Sequence, residues 1–425
     1  MKIAIVTAYY TMGRGYMENL WADTLARNGH DVTVLAGSRG PSGLPDDEAH
    51  DADPTVDLRR FRCLRLPSGI RFAGPALLYE LDQLCPDVVL WINVGSHFGR
   101  QVLEHKSRRG DGCKLVCFFG ENSGQHAYLP GAAPLTPHDR WKIRGWRFLR
   151  GPLYRRAIAA CDLAVGITAE TPGIIASLLP EPEREAVRSR FLALPLGYDG
   201  CVFAFDPGLR ARTRAELGLG DDDFALVVSS RITAAKIRRT LAPLVDHIAE
   251  WLRIEPVGRV IVVGFRDAPE SDRFRDHIAA LDVADRFRLE PLAGRPRLNA
   301  LFNAADLGVF AAPSISVQEA MGTGLYMLLS DDGSMDHLIA STAQGCFFRK
   351  GDRDSLHDGL AWAAAHLGAG PTRAERQGAN AWLDYASLYQ QLVASLLVTD
   401  TDRYIDAPAG DPSPEIVEPA LERTP

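Results

Sequence analysis

Short runs of consecutive apolar residues alternate with stretches of helical period along almost the whole chain. In the first half, strands are predicted at Lys2–Thr7, Asp31–Leu35, Asp87–Asn93, Lys114–Phe119, Leu163–Ile167 and Phe191–Pro195. Helical stretches such as Tyr16–Asn28 and Pro152–Ala160 lie between them. Strands buried on both faces of a parallel sheet read as unbroken Val, Ile and Leu runs, and these do. Repeated strand–helix alternation implies βαβ units and a doubly wound sheet. The pattern then restarts, with strands predicted at Phe224–Ser229, Arg259–Gly264, Arg286–Glu290, Leu307–Phe310, Tyr326–Ser330 and Cys346–Phe348. Two such sets imply two similar α/β domains rather than one very large sheet.

The junction is expected within Leu196–Arg210, which holds Gly197, Gly200, Pro207 and Gly208. This divides the chain into a first domain over 1–196 and a second over 197–372. Helical period resumes over Arg373–Leu397, with apolar Ala379, Trp382, Leu383, Tyr385, Leu388, Leu392 and Leu396. Those helices, 373–398, are expected to cross back to the first domain. The last stretch, 399–425, carries five prolines, seven acids and two arginines without a sustained apolar period. It reads as an acidic disordered tail. Gly37–Pro54, rich in Gly, Pro and Asp, is a second flexible candidate.

Composition narrows the function classes. Of the 425 residues, 46% are hydrophobic and 24% charged, the mix of a globular protein that buries large cores without covalent staples. The formal charge of −7 argues against a general polyanion binder, and hence against nucleic acid as a partner. Seven cysteines (63, 85, 113, 117, 161, 201 and 346) are scattered without a C-x-x-C pair, which fits neither a disulfide framework nor a zinc site. No run of eighteen apolar residues is present, and the opening Ile3–Val6 run is too short for a signal-peptide core. A cytoplasmic location is the expectation.

In open α/β sheets, ligands bind beyond the carboxyl ends of the strands, so candidate chemistry is sought there. After the first strand, Gly13 and Gly15 would let the backbone approach a phosphate at a helix N-terminus. A dinucleotide fingerprint would need a further glycine where Glu18 stands, so this loop is either a phosphate contact or only a tight turn. After the first strand of the second domain come Arg231 and Lys236, which can converge on one diphosphate: Arg offers a planar fork, Lys a mobile point charge. The alternative is a solvated basic face continued by Arg238 and Arg239. After Leu307–Phe310, a loop runs into a short small-residue helix. Free N–H groups at Ser314, Ile315, Ser316 and Val317 would favour an anion there, with Glu319 placed to accept two ribose hydroxyls or merely to serve its own helix.

These pieces, in this order, resemble the retaining GT-B glycosyltransferases of the large nucleotide-sugar-dependent family (glycosyltransferase family 4-like, group 1). The opening strand, Gly13/Gly15 and Leu25–Val32 match that family's N-terminal pattern. Leu196–Phe203 resembles its interdomain segment, and Arg231 with Lys236 keeps its Arg-x4-Lys diphosphate pair. Gln318–Gly324 resembles the end of its Glu-x7-Glu signature, and Gly333, Asp336 and Gly345 follow its downstream pattern. The resemblance spans about residues 1–398. It implies a GT-B architecture of two Rossmann-like doubly wound domains facing across a cleft, the first for the acceptor and the second for a nucleotide diphospho-sugar donor. It also implies transfer with retention of configuration, and base contacts near Gly264, Phe265 and Leu292.

One departure stands out. The first glutamate of the signature should fall at 311, where the chain has Ala311, and Pro313-Ser314-Ile315-Ser316 replaces the usual Pro-Phe-Gly-Leu. Donor-sugar choice is therefore expected to differ, with Ser314 and Ser316 supplying hydroxyl contacts.

Acceptor and sugar contacts are implied at strand ends of the first domain. His97 and the pair Glu121 and His126 qualify, since a histidine there can bind a sugar hydroxyl or stabilise charge. Arg140–Arg156 carries seven cations, four aromatics and no acid. The simpler expectation is a helix packing its aromatics inward and its cations to water. The other is peripheral membrane contact through 140–156, or contact with a phosphorylated or lipid-linked acceptor. Asp221-Asp222-Asp223 imitates a metal-binding Asp-x-Asp but reads as a solvated turn, and no metal or other cofactor is expected.

The expectation is thus a glycosyltransferase in which Arg231 and Lys236, with Glu121 and His126 opposite, act on a nucleotide diphospho-sugar. A nucleotide-sugar epimerase and a non-catalytic nucleotide-sugar binder are the competing readings. The acceptor stays open among small molecules, saccharides and lipid carriers.

Overall fold

The computed structural model describes residues 1–8, 10–11, 15–37, 56–61, 63–65, 71–96, 99–121, 137–331 and 334–397. Gly13, His97 and His126, most of Gly37–Pro54, and the tail lie outside the described residues.

The first half forms strands β1 (Lys2–Thr7), β2 (Asp31–Gly37), β3 (Asp57–Phe61), a small antiparallel hairpin β4 (Cys63–Arg65) and β5 (Arg71–Ala73), then β6 (Val88–Ile92), β7 (Lys114–Phe119), β8 (Leu163–Gly166) and β9 (Phe191–Ala193). The second half forms β10 (Phe224–Ser229), β11 (Gly258–Phe265), β12 (Phe287–Pro291), β13 (Leu307–Phe310), β14 (Tyr326–Ser330) and β15 (Gly345–Phe348). Two sheets result, ordered β3-β2-β1-β6-β7-β8-β9 and β12-β11-β10-β13-β14-β15, each parallel throughout.

An all-parallel sheet must be covered on both faces. Ala4 and Val6 of β1 face one core with Trp91 and Tyr154, while Ile3 and Ile5 face another with Trp21 and Leu90. The second sheet divides in the same way, Leu226 and Val228 on one side and Val227 on the other. Strand order reverses beside β1 and beside β10, so the carboxyl ends of those two strands are where each sheet opens a crevice.

β3 was not visible as an apolar run. It is an edge strand, Asp-Leu-Arg-Arg-Phe, in which Phe61 alone is fully buried. The helix read as starting at Pro152 begins at Pro137, with Pro152 inside it. The stretch 373–397 is not one helix: a capping box at Thr372 and Glu375 starts Arg373–Ala379, a single 3-10 turn follows, and Tyr385–Leu397 begins after extended Asp384. At that break the chain pairs with the interdomain linker, Tyr198 opposite Asp384. The last helix then lies on the first sheet, with Tyr385 edge-on to Trp21 at 5.2 Å and Leu388 and Leu392 buried beside Ile3 and Ile5.

Candidate active site

The two crevices face one another across an open-mouthed cavity of about 490 Å³. From the first domain come Gly15 and Tyr16 after β1 and Thr168 after β8; from the second come Arg231, Lys236, Leu292, Arg295 and the segment from Pro313 to Glu319.

Arg231 and Lys236 reach this space through a specific local fold. Thr233 caps a one-turn helix, its hydroxyl accepting from the Lys236 N–H at 3.4 Å. A π-helical segment, Ile237–Leu241, follows directly. Such wide turns cluster at functional positions. Lys236 Nζ donates to Ser230 Oγ at 2.9 Å, and Arg231 donates to the Tyr16 hydroxyl across the domain boundary. Neither cation has a carboxylate partner among the described ion pairs. Burial, and then the neighbouring Arg231 charge, hold the Lys236 pKa below its usual value. Two converging positive charges without a counter-ion make a seat for a strong anion.

Glu319 sits in the helix Ile315–Gly322, which begins after extended Ser314. Its carboxyl is buried, and burial raises its pKa to about 7 against the opposing pull of Arg295. The helix starts at the cavity wall, and the Ser314 hydroxyl there has no hydrogen-bond partner among the described residues. Gly15 closes the other side: a Cβ built on it would stand 2.8 Å from Glu319 Oε1 and 3.6 Å from Arg295 Nε.

Arg295 was not anticipated from the sequence. Its Nη2 donates to Asp199 Oδ2 at 3.0 Å, its guanidinium covers the Phe203 ring at 5.7 Å, and its buried Nε has no partner among the described residues. Asp199 also accepts from Arg27 of the first domain at 3.2 Å. His337 is a second unanticipated lining residue. Burial lowers its pKa to about 4, and both ring nitrogens lack partners among the described residues. Arg295 opens the helix Arg295–Ala304 that follows β12, a place where the strand-end rule looks for ligand contacts.

The anticipated residues divide. Gly15, Arg231, Lys236, Leu292, Ser314, Ile315, Ser316, Val317 and Glu319 all line the cavity. Gly264 and Phe265 are not among its lining. Phe265 is buried in the core, stacked on Phe274 at 5.8 Å. Gly264 has φ +128°, and a Cβ there would stand 1.8 Å from the Ser230 carbonyl oxygen, so this glycine lets β11 press against the loop that carries Arg231. Glu121 is buried, is not among the residues lining the cavity, and accepts a hydrogen bond from the Tyr154 hydroxyl. Burial raises its pKa, opposed by that bond and by Arg150. Ala311 faces a separate recess of about 20 Å³ shared with Lys236 and Ser230. Asp223 is engaged in structure, paired with Arg259 at 3.1 Å and accepting from the Gly220 N–H at 2.7 Å.

Residues 210–380, which hold Arg231, Lys236, Arg295 and Glu319, match the family described as glycosyl transferases group 1. That match places residues 210–380 among the group 1 glycosyltransferases. A D-inositol 3-phosphate glycosyltransferase of Nocardia farcinica is 31% identical over 321 residues, covering 68% of this chain. The chain spans about 63% of that relative's length. Among solved structures, sucrose-phosphate synthase from Thermosynechococcus elongatus superposes with a TM-score of 0.64 at 16% identity, over 93% of this chain and 99% of that one. Anabaena HepE, solved with UDP and glucose, gives 0.64 at 14% identity over 93% and 99%. Those likenesses fix the architecture as GT-B, the two-domain glycosyltransferase fold.

Proposed function

We propose that this glycosyltransferase moves a glycosyl unit from a nucleotide diphospho-sugar bound in the interdomain cavity to a hydroxyl of an acceptor. The observation that carries this is one cavity lined by Arg231, Lys236 and Glu319 together. Glu319 accepts the ribose hydroxyls. Arg231, Lys236 and the first N–H groups of the helix Ile315–Gly322 hold the diphosphate, where negative charge grows as the bond to the sugar breaks. With those cations in place the reading needs no divalent ion. In the retaining course, the bond from C1 to the leaving phosphate oxygen breaks while the acceptor oxygen bonds to C1 from the same face. The acceptor proton passes to the leaving phosphate. The enclosing domains limit access of water.

The first donors to test are UDP sugars, since HepE was solved with UDP and glucose. The first acceptor to test is a phosphorylated cyclitol, on the strength of the Nocardia relative's name. The experiment is a thermal-stability panel of UDP, GDP, dTDP and ADP sugars, followed by turnover with inositol phosphates, other saccharides and lipid-linked acceptors. A donor that raises the melting temperature and is consumed only when an acceptor is present supports the proposal. Conversion of donor without acceptor would point to an epimerase, and binding without turnover to a sugar-nucleotide binder.

A further inference from the structure

The helix Pro137–Ala160 presents two different faces. Its inner face is core: Ile143, Tyr154, Ala157 and Ile158 are buried, and Tyr154 reaches Glu121 at the end of β7. Its outer face contradicts the simpler sequence expectation. Trp141 is 73% exposed and Phe148 79%, so these two aromatics point to solvent rather than inward. Arg144 stands between them, and Arg147, Arg155 and Arg156 are exposed further along. Residues spaced by three and four along a helix share one side, so Trp141, Arg144, Phe148 and Arg155 form a single stripe. A groove of about 370 Å³ opens beside it, lined by Arg147, Arg155, Arg184, Pro152, Leu178 and Leu179. Glu183 beside the groove is paired with Arg155 at 2.8 Å, and Glu181 and Glu185 are exposed on the same segment.

We infer that this face docks on an anionic lipid surface. Two large aromatics exposed in one stripe need a non-aqueous neighbour, and arginines set among them require that neighbour to be negative. The complementarity is local, because the chain as a whole carries −7. Among the described residues no helix is long and apolar enough to cross a membrane, so the contact is peripheral. In this arrangement Trp141 and Phe148 enter the headgroup region, the arginines meet lipid phosphates, and the same helix ties the lipid surface to Glu121 through Tyr154.

The test is flotation of the full chain with vesicles of phosphatidylcholine alone or with about one third phosphatidylglycerol. The expected result is partition onto the anionic vesicles only, weakened by added salt as screening grows. Trp141→Ala with Phe148→Ala, and separately Arg144→Glu with Arg147→Glu, should each lower that partition roughly tenfold or more. Circular dichroism and donor-induced thermal shifts should stay as in the wild type. Equal partition onto neutral vesicles, or no loss in either double variant, would overturn the inference. So would a lipid-free dimer that the aromatic variant abolishes. The vesicle assay needs neither donor nor acceptor, so its failure leaves the transferase proposal standing.

Discussion

Gly15 and Glu319 lie in different domains, yet a Cβ on the glycine would come within 2.8 Å of the carboxylate Oε1. Gly15 thus stands directly against the acid proposed to hold the ribose. Gly15→Ala should push that carboxylate aside rather than unfold the protein, because the atom it meets ends a side chain. The expected outcome is a donor KM raised roughly tenfold with a nearly unchanged melting temperature, since small misplacements of a positioning group are felt strongly. Steady-state kinetics and a thermal melt on one preparation check this.

Arg231 and Lys236 carry the charge proposed to meet the diphosphate. Arg231→Ala or Lys236→Ala should each lower kcat/KM by roughly two to three orders of magnitude, the scale for losing one charge-stabilising donor. Near-full transfer by Lys236→Ala under saturating donor would remove Lys236 from the reaction. A Lys236→Arg variant should recover only part of the loss, because the planar fork cannot reproduce the bond to Ser230 Oγ at 2.9 Å.

Glu319 is poised near neutrality, with burial raising its pKa to about 7. Below that value it is largely protonated and a poorer acceptor for two hydroxyl donors; above it, ionised and better. Donor affinity should therefore strengthen as pH rises from about 6 to about 8, and Glu319→Gln should flatten that rise. Calorimetry with an intact nucleotide sugar, whose diphosphate does not titrate in this window, is the measurement. The same raised pKa has a stability sign. The unfolded carboxyl ionises from about pH 4.5 upward while the folded one keeps its proton, so the penalty grows through that window and levels off above about 7.

Asp199 ties Arg27 of the first domain to Arg295 of the cavity wall, at 3.2 and 3.0 Å. Burial pushes its pKa up, but hydrogen bonds from Arg27 and Arg295 outweigh that and hold it below the usual value. Its contribution is complete above the ordinary Asp pKa and is lost as pH falls through the depressed one. Asp199→Asn should destabilise the fold by about 2 kcal/mol at neutral pH, less than for a fully buried pair because Arg27 is half-exposed. Denaturant titrations of both proteins should show the gap closing as the solution is taken well below the ordinary Asp value of 3.8.

Legibility in the sequence followed burial. β1, β7, β10, β13 and β14 could be read residue for residue, because strands covered on both sides must be apolar without interruption. β3 could not, because an edge strand tolerates Asp57, Arg59 and Arg60. Arg231, Lys236 and Glu319 were legible because they follow strand ends at fixed spacings. Arg295 also follows a strand end, but what singles it out is Asp199, 96 residues away along the chain. The outward turn of Trp141 and Phe148 was equally hidden, since a helix of mixed aromatics and cations fits either orientation until its neighbours are known.

The sequence by itself therefore determined the local chemistry: which runs become parallel strands, and which charged side chains stand at their carboxyl ends. That much is settled by backbone hydrogen bonding and apolar periodicity over a few residues. Only the tertiary structure decided which of those ends meet. Placing Gly15 against Glu319, Arg231 against Tyr16 and Asp199 between two arginines depends on how two separately covered sheets face each other, a relation set by packing between distant segments.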